Sequence, residues 1–249
     1  MNAKPSLYIV TAAGGNPTAI RLLPKPESPE WYAREGNLLM RKTASLGVEQ
    51  AGFLILSENR FEMSGGEFCG NAARSAALLL SRFSDTEEGA FQMSGYAGMV
   101  SFRVQSQNES RASVTCVFDQ LPISTMRTND GQQIVDLGGI VHVVISGALP
   151  ADYEAQHREL TRSLGLSDRA AVGVCWTEQR DGVFTLHPVV WVKAIDSFFY
   201  ETSCGSGSIA ASVVTGAQVV TQPSGEAIEV TRVGKQVSLQ SRMEVIHEE

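Results

Sequence analysis

Short apolar runs bounded by turn residues dominate the chain. In the first half they are LYIVTA (7–12), AIRLL (19–23), GFLILS (52–57), FQMSG (91–95), MVSFRV (99–104) and SVTCVF (113–118). In the second half they are IVHVVIS (140–146), AVGVCW (171–176), VFTLHPVVWVKA (183–194), AIEVTRV (227–233) and QVSLQS (236–241). Their length and alternation predict strands, separated by Gly, Pro, Asn and Asp turns such as TNDGQ and QRDG. Helical patterns are fewer. Residues 28–47 open on a Ser-Pro-Glu start signal and stop at Gly47, and residues 151–165 stop at Gly165. Two further segments, NAARSAALLL (71–80) and GSIAASVVTGA (207–217), are apolar on nearly every face and rich in small residues. Such a helix is buried all round, and a surrounding sheet would satisfy it.

The order of elements repeats. Each half runs through strands, an amphipathic helix, more strands, a Cys-Gly segment opening an apolar helix, and strands again. Cys69 and Cys204, about 135 residues apart, are followed by Gly70 and Gly205, then by Asn71 and Ser206, then by Ala76 and Ala211. The repeat predicts an α+β fold of two pseudo-symmetric domains, each a strand barrel wrapped around a central helix. Residues 1–125 carry Cys69 and residues 126–249 carry Cys204, with the boundary near STMRTNDGQQ (124–133) and the last strand crossing back to the first domain.

Composition narrows the function. At 249 residues the chain builds a sizeable core without staples. Its formal charge of −7 and lack of a basic cluster exclude nucleic acid as a partner. The N-terminus enters a strand with no signal-peptide pattern and no run is long enough to span a membrane, so a cytoplasmic protein is expected. Four widely spaced cysteines, Cys69, Cys116, Cys175 and Cys204, then read as free thiols. With no Cys-x-x-Cys or His-x-x-x-His, no metal is expected.

The two Cys-Gly segments carry the chemistry. A helix start offers unpaired N–H groups and a partial positive charge, which seat a carboxylate and favour a thiolate. Glycine permits close approach of a ligand, and Asn or Ser caps or donates. If the two starts face each other, Gly70, Asn71, Gly205 and Ser206 hold one substrate carboxylate while Cys69 and Cys204 flank the adjoining carbon. That is a two-base racemase: one thiolate removes the α-proton and the opposite thiol returns one, with no cofactor. A single such cysteine is more often an inert small hydrophobe, but a matched pair reverses that balance. Cys116 and Cys175, in strand patterns with no glycine after them, read as core. The Gly205, Gly207, Ala210 spacing also mimics a dinucleotide fingerprint, yet too little chain follows it to complete that fold.

The segments GGEFCGNAAR and ETSCGSGSIAA resemble the diaminopimelate epimerase superfamily, over almost the full length of the chain. The resemblance implies a helix within a strand barrel in each half and amino-acid racemisation or epimerisation without pyridoxal phosphate. It also implies three further site residues. GGNPTAI is similar to the family's substrate loop and makes Asn16 a ligand contact, VEQAGF places Glu49 at an acidic catalytic position, and IVHVVI places His142 near the site. The likeness is greatest to the histidine racemases of metallophore biosynthesis, which share MSG-x-EFCGNA, E-x-SCGSG and a QP-x-G turn, here Gln222, Pro223 and Gly225. Diaminopimelate epimerases carry a Glu-Arg pair ahead of the second cysteine, where this chain has Ile195 and Asp196. An Arg fork is a natural clamp for a substrate carboxylate, and its absence leaves diaminopimelate less well held. Histidine is therefore the expected substrate, with diaminopimelate epimerase activity or a non-catalytic binding protein on the same fold as the alternatives. A homodimer is the assembly considered.

Overall fold

Branched and aromatic residues alternate with polar ones along most of the chain, and in the computed structural model, which describes residues 5–193 and 196–249, these stretches form strands. In the first half they are β1 (Leu7–Ala12), β2 (Gly15–Leu23), β3 (Gln50–Ile55), β4 (Arg60–Met63), β5 (Glu88–Met93), β6 (Met99–Ser106) and β7 (Arg111–Phe118). Then come β8 (Ser124–Arg127), β9 (Gln133–Asp136), β10 (Val141–Ser146), β11 (Ala171–Arg180), β12 (Val183–Val192) and β13 (Ser197–Tyr200). The last three are β14 (Val219–Thr221), β15 (Ala227–Val233) and β16 (Gln236–Glu248).

Four helices interrupt them: α1 (Pro29–Thr43), α2 (Gly70–Ser84), α3 (Tyr153–Ser163) and α4 (Gly205–Thr215). Helix α1 begins where Ser28 Oγ accepts the Trp31 amide at 3.3 Å and Pro29 supplies a preset φ at the first turn. A short 3-10 turn follows it and ends at Gly47, whose φ of 72° suits a residue without a Cβ.

Hydrogen bonds close a ring. The order β1-β2-β3-β4-β5-β6-β7-β16 returns to β1 through the β1–β16 pairing. Strand β16 does this because it is long: Val237–Glu244 pair with β7, Gln236–Gln240 with β15 and Met243–Glu248 with β1. From β15 the sheet continues through β14, β12, β11, β10, β9 and β8, and among the described residues no pairing closes this second arc. The sequence pattern does not show that asymmetry, since it marks only residues 236–241 of the last strand.

Connections recur on the two sides. Helix α1 links the parallel pair β2 and β3, as α3 links β10 and β11; α2 links the parallel pair β4 and β5, while β13 and then α4 lie between the parallel pair β12 and β14. The β11–β12 hairpin turns on Asp181 and Gly182, both at positive φ, as the QRDG signal predicts. Residues 124–133 run through β8 and the turn into β9, which pair as a hairpin.

Helices α2 and α4 lie inside. Residues Gly70–Leu80 of α2 are buried without interruption, as are Gly205–Ser212 of α4. Helix α2 packs on β1, β2, β4, β5, β6, β7 and β16, and α4 on β9, β10, β11, β12, β14 and β15. Alanine, glycine and serine let strands approach from every side. Larger residues of α2, such as the fully buried Leu79, each contribute about 2 kcal/mol. Helices α1 and α3 cover the outside over their own small clusters, around Leu39 and around Trp176.

Candidate active site

The two internal helices start from the same geometry. Cys69, the N-cap of α2, has φ −137° and ψ 111°; Cys204, the N-cap of α4, has φ −138° and ψ 107°. Each thiol sits over its own first turn, accepting the Ala72 amide at 3.4 Å and the Gly207 amide at 3.3 Å respectively. A thiol thus fills the capping role that serine usually takes.

The starts abut. A Cβ built on Gly205 would stand 3.2 Å from the Gly70 Cα and 3.2 Å from Asn71 Oδ1, a tight approach that favours glycine. Asn71 Nδ2 crosses the junction to donate to the Ser203 carbonyl at 2.9 Å. Its Oδ1 accepts from Arg74 Nη2 at 2.5 Å, and Arg74 Nε donates to the Gly70 carbonyl at 3.2 Å. On the other side Gln222 Oε1 accepts the Cys204 amide at 2.9 Å, while Gln222 Nε2 donates to Ser208 Oγ and the Val220 carbonyl.

Above this junction lies a cavity of about 130 Å³. Cys69, Gly70, Asn71, Cys204, Gly205 and Ser206 form its floor, with Asn16, Glu49, Gln50, Glu67 and Glu201 on the polar walls. Phe68, Ile140, Val190, Val192 and Phe199 supply apolar surface. Helix geometry gives the amides of the first two residues in α2 and α4 no intrahelical backbone acceptor, which suits an anion at these starts. Three carboxylates line the cavity and, among the described residues, no Lys, Arg or His does.

A chain of hydrogen bonds runs across the cavity wall. The Cys69 thiol donates to Gln50 Oε1 at 3.2 Å, Gln50 Nε2 donates to the Asn16 carbonyl at 3.3 Å, and the Asn16 amide donates to Thr202 Oγ1 at 3.0 Å. The Glu201 carboxylate lines the same cavity, and the Cys204 thiol lies 3.6 Å from Ser206 Oγ. Asn16 adopts φ 47°, a left-handed conformation that Asn tolerates better than most residues.

Burial sets the electrostatics. It pushes the Cys69 thiol up to about 12, against the opposing pull of the Ala72 amide, and Glu201 and Glu67 raise it further. Burial likewise raises the Cys204 thiol, reinforced by Glu201 and Cys175. The helix starts alone are therefore too weak to make thiolates of these cysteines, contrary to the expectation from sequence, because the desolvation of a buried anion outweighs a partial charge. Burial also raises Glu201 to about 7, and desolvation raises Glu49 and Glu67.

The structure brings together Cys69, Cys204, Asn16, Glu49, Gly70, Asn71, Gly205 and Ser206, with Glu49 at the exposed rim. The Asn71 amide group is consumed by Ser203 and Arg74, which leaves only its backbone N–H for a ligand. His142 lies elsewhere. It is buried on the inner face of the second arc with Nδ1 3.5 Å from Cys175 Sγ, and burial lowers it to about 3, so the ring is neutral. Cys175 in turn lies behind Gly207, so His142 stands two layers below the Cys204 thiol. Cys116 and Cys175 are buried in the core, and all four cysteines are free. Of the pair read in place of Glu-Arg, Ile195 lies outside the described residues, and Asp196 is exposed and bonded to Arg158 and Trp191.

Gln50, Glu67, Glu201 and Arg74 were not singled out as site residues from sequence. An acid two or three residues before each cysteine was the available signal for Glu67 and Glu201. Arg74, fully buried in an otherwise small and apolar helix, breaks the pattern of α2 and was visible as such.

Among known proteins, the histidine racemase of Fusobacterium nucleatum subsp. nucleatum is 27% identical over 182 residues, covering 68% of this chain and 66% of the relative. The chain thus spans about two thirds of the length of that relative. The Staphylococcus aureus (strain Mu50) histidine racemase is 25% identical over 241 residues, 86% of each. In fold the chain is similar to a predicted epimerase from Pseudomonas aeruginosa, with a TM-score of 0.64 at 13% identity over 99% of this chain and 98% of that one. It is also similar to the Bacillus anthracis phenazine biosynthesis protein of the PhzF family, with a TM-score of 0.63 at 15% identity and the same coverage. No helix among the described residues is long and apolar enough to cross a membrane. The family model described as the histidine racemase CntK N-terminal domain matches residues 22–245, and the chain belongs to that family.

Proposed function

We propose that the protein racemises a free amino acid, histidine first among candidates, by proton transfer between Cys69 and Cys204. The observation that carries this reading is the matched pair of thiols, each capping the start of a buried helix and both bordering one cavity of amino-acid size. The substrate carboxylate sits on the amides that open α2 and α4. Its ammonium group and side chain meet the walls bearing Glu49, Glu67 and Glu201. Those walls favour a cationic or hydrogen-bond-donating side chain such as imidazole and repel the second carboxylate of diaminopimelate. The finding of histidine racemases among the relatives supports the same choice.

Substrate changes this balance. Its positive charge offsets the carboxylates and lowers the cost of a buried thiolate. A thiolate at Cys69 then takes the α-proton, and the C–H electron pair passes into the substrate as an enolate-like anion held by the helix amides. The Cys204 thiol delivers its proton to the opposite face. The product is the other enantiomer, with Cys69 now protonated and Cys204 ionised. This chemistry needs no cofactor. The repeated connections around α2 and α4 support a further proposal, that residues 1–125 and 126–249 are related copies, which would explain why each contributes one thiol.

The test is incubation of the reduced protein in deuterium oxide with each enantiomer of histidine, other proteinogenic amino acids and diaminopimelate. Deuterium at Cα together with formation of the other enantiomer is the expected result for histidine. No exchange with any amino acid overturns the reading.

A further inference from the structure

One buried charge has no part in the proton transfer described above. Arg74 is fully buried in α2, between Ala73 and Ser75, and its partners are neutral. Nε donates to the Gly70 carbonyl at 3.2 Å, Nη2 donates to Asn71 Oδ1 at 2.5 Å, and Nη1 has no partner among the described residues. Among those residues no Asp or Glu pairs with it. A buried guanidinium without a counter-ion costs on the order of several kcal/mol, so stability does not account for its presence.

The place of that charge does account for it. The Gly70 carbonyl and the Asn71 N–H belong to one peptide unit, and a donor on the carbonyl polarises the unit and strengthens its N–H. This N–H lies in the first turn of α2, without an intrahelical backbone acceptor, and at the junction, where a Cβ built on Gly205 would stand 3.3 Å from the Asn71 nitrogen. We propose that Arg74 is a positioning residue that makes the cavity floor a seat for anions, its charge acting on a bound carboxylate through the Gly70–Asn71 peptide. The proposal rests on the reading of the two helix starts as the carboxylate seat. The cavity lining itself holds Glu49, Glu67 and Glu201 and, among the described residues, no Lys, Arg or His. The partial charges of two helix starts would have to offset three carboxylates, and a full positive charge one turn further along α2 shifts that balance. Its weight grows during the reaction, because removal of the α-proton turns the carboxylate into an enolate with a second negative charge.

Iodoacetate and iodoacetamide isolate this charge from the other properties of the thiols. Both alkylate a thiolate with loss of iodide, through a carbon bonded to a carbonyl group, and only iodoacetate carries a carboxylate there. The ratio of their rates at one cysteine cancels the thiolate fraction and, because the reagents are nearly equal in size, the accessibility. It reports the preference for an anion beside the carbon that the sulfur attacks. The ratio is measured by peptide mass spectrometry at Cys69 and Cys204 of the reduced full-length protein, with N-acetylcysteinamide as the free-thiol reference.

In the unaltered protein the ratio of iodoacetate to iodoacetamide is expected above that of the free thiol at both cysteines. Arg74→Met is expected to lower it at least about tenfold. Arg74→Gln, which keeps a donor for Asn71 and removes the charge, is expected to lower it as far, and either variant suffices. Asn71→Ala, which breaks the same clasp but leaves the charge, is expected to lower it less. A ratio in the unaltered protein at or below that of the free thiol overturns the proposal without any variant having to fold. So does an unchanged ratio in folded Arg74→Met or Arg74→Gln, and so does a fall in Asn71→Ala as large as theirs, which would assign the effect to geometry and not to charge. Because the assay reads anion preference and not turnover, it stands apart from the deuterium exchange that tests the racemase reading: exchange of histidine with unchanged ratios refutes only the role of Arg74, and lowered ratios without exchange refute only the activity.

Discussion

Asn71→Ala should loosen the junction between the two buried helices, and its cost follows from two hydrogen bonds. Asn71 Nδ2 donates to the Ser203 carbonyl at 2.9 Å, and Oδ1 accepts from the Arg74 guanidinium at 2.5 Å. Truncation leaves the buried carbonyl without this donor. It also strips Arg74 of an acceptor when its Nη1 already has no partner among the described residues. A neutral bond lost with a polar group stranded costs about 1–2 kcal/mol, and one to a charged group about 2–3 kcal/mol, so the substitution should destabilise by about 4 kcal/mol. For a chain of this length that corresponds to a fall in Tm of roughly 10 °C.

Urea denaturation followed by circular dichroism measures the loss, and a double-mutant cycle with Arg74→Met apportions it. Once Asn71 is gone, removing the guanidinium should cost less than it does in the unaltered protein, because one of its acceptors is already absent. A loss below about 1 kcal/mol, or strictly additive effects, would refute the account of Asn71 as the clasp between α2 and α4.

Three other outcomes are expected. Cys69→Ser and Cys204→Ser should each abolish racemisation, at least about 100-fold in kcat, while exchange of one α-proton with solvent can survive in a single variant; normal racemisation by either excludes the two-base assignment. Gly205→Ala should destabilise by about 1–3 kcal/mol and reduce turnover, since its Cβ meets the Gly70 Cα at 3.2 Å; a fully active and equally stable variant would show that the helix starts need not touch. His142 is held neutral with its folded value near 3, so the unfolded chain binds the extra proton as pH falls below the ordinary histidine value of 6.5. Its depressed value therefore removes stability between pH 6.5 and 3, by about 2 kcal/mol at pH 5, and the difference in stability between pH 7 and pH 5 should be smaller by that amount in His142→Gln, as read by urea melts at the two pH values.

Much of the site was legible in the chain because it is local. Cys-Gly followed by small apolar residues specifies a helix start with room at its tip, and a buried helix must be small on all faces, so Cys69, Gly70, Cys204 and Gly205 could be named from their neighbours alone. The aspartate-glycine hairpin at 181–182 and the Ser28 cap were fixed in the same way, by backbone preferences over a few residues. The length of β16 was not, because its second half gains strand structure from pairing with β1, far away in the chain.

Sequence by itself determined the α+β class, the two buried helices and the two thiols. Only the tertiary structure decided what surrounds the thiols. Glu201 and Gln50 lie in strand-edge segments whose side-chain directions depend on which strand pairs with which, and His142 turned inward, away from the cavity, for the same reason. The thiol ionisation also reversed from the local expectation: a helix start is a property of a few residues, whereas desolvation is set by every element packed around the cavity, and for a buried anion it is the larger effect.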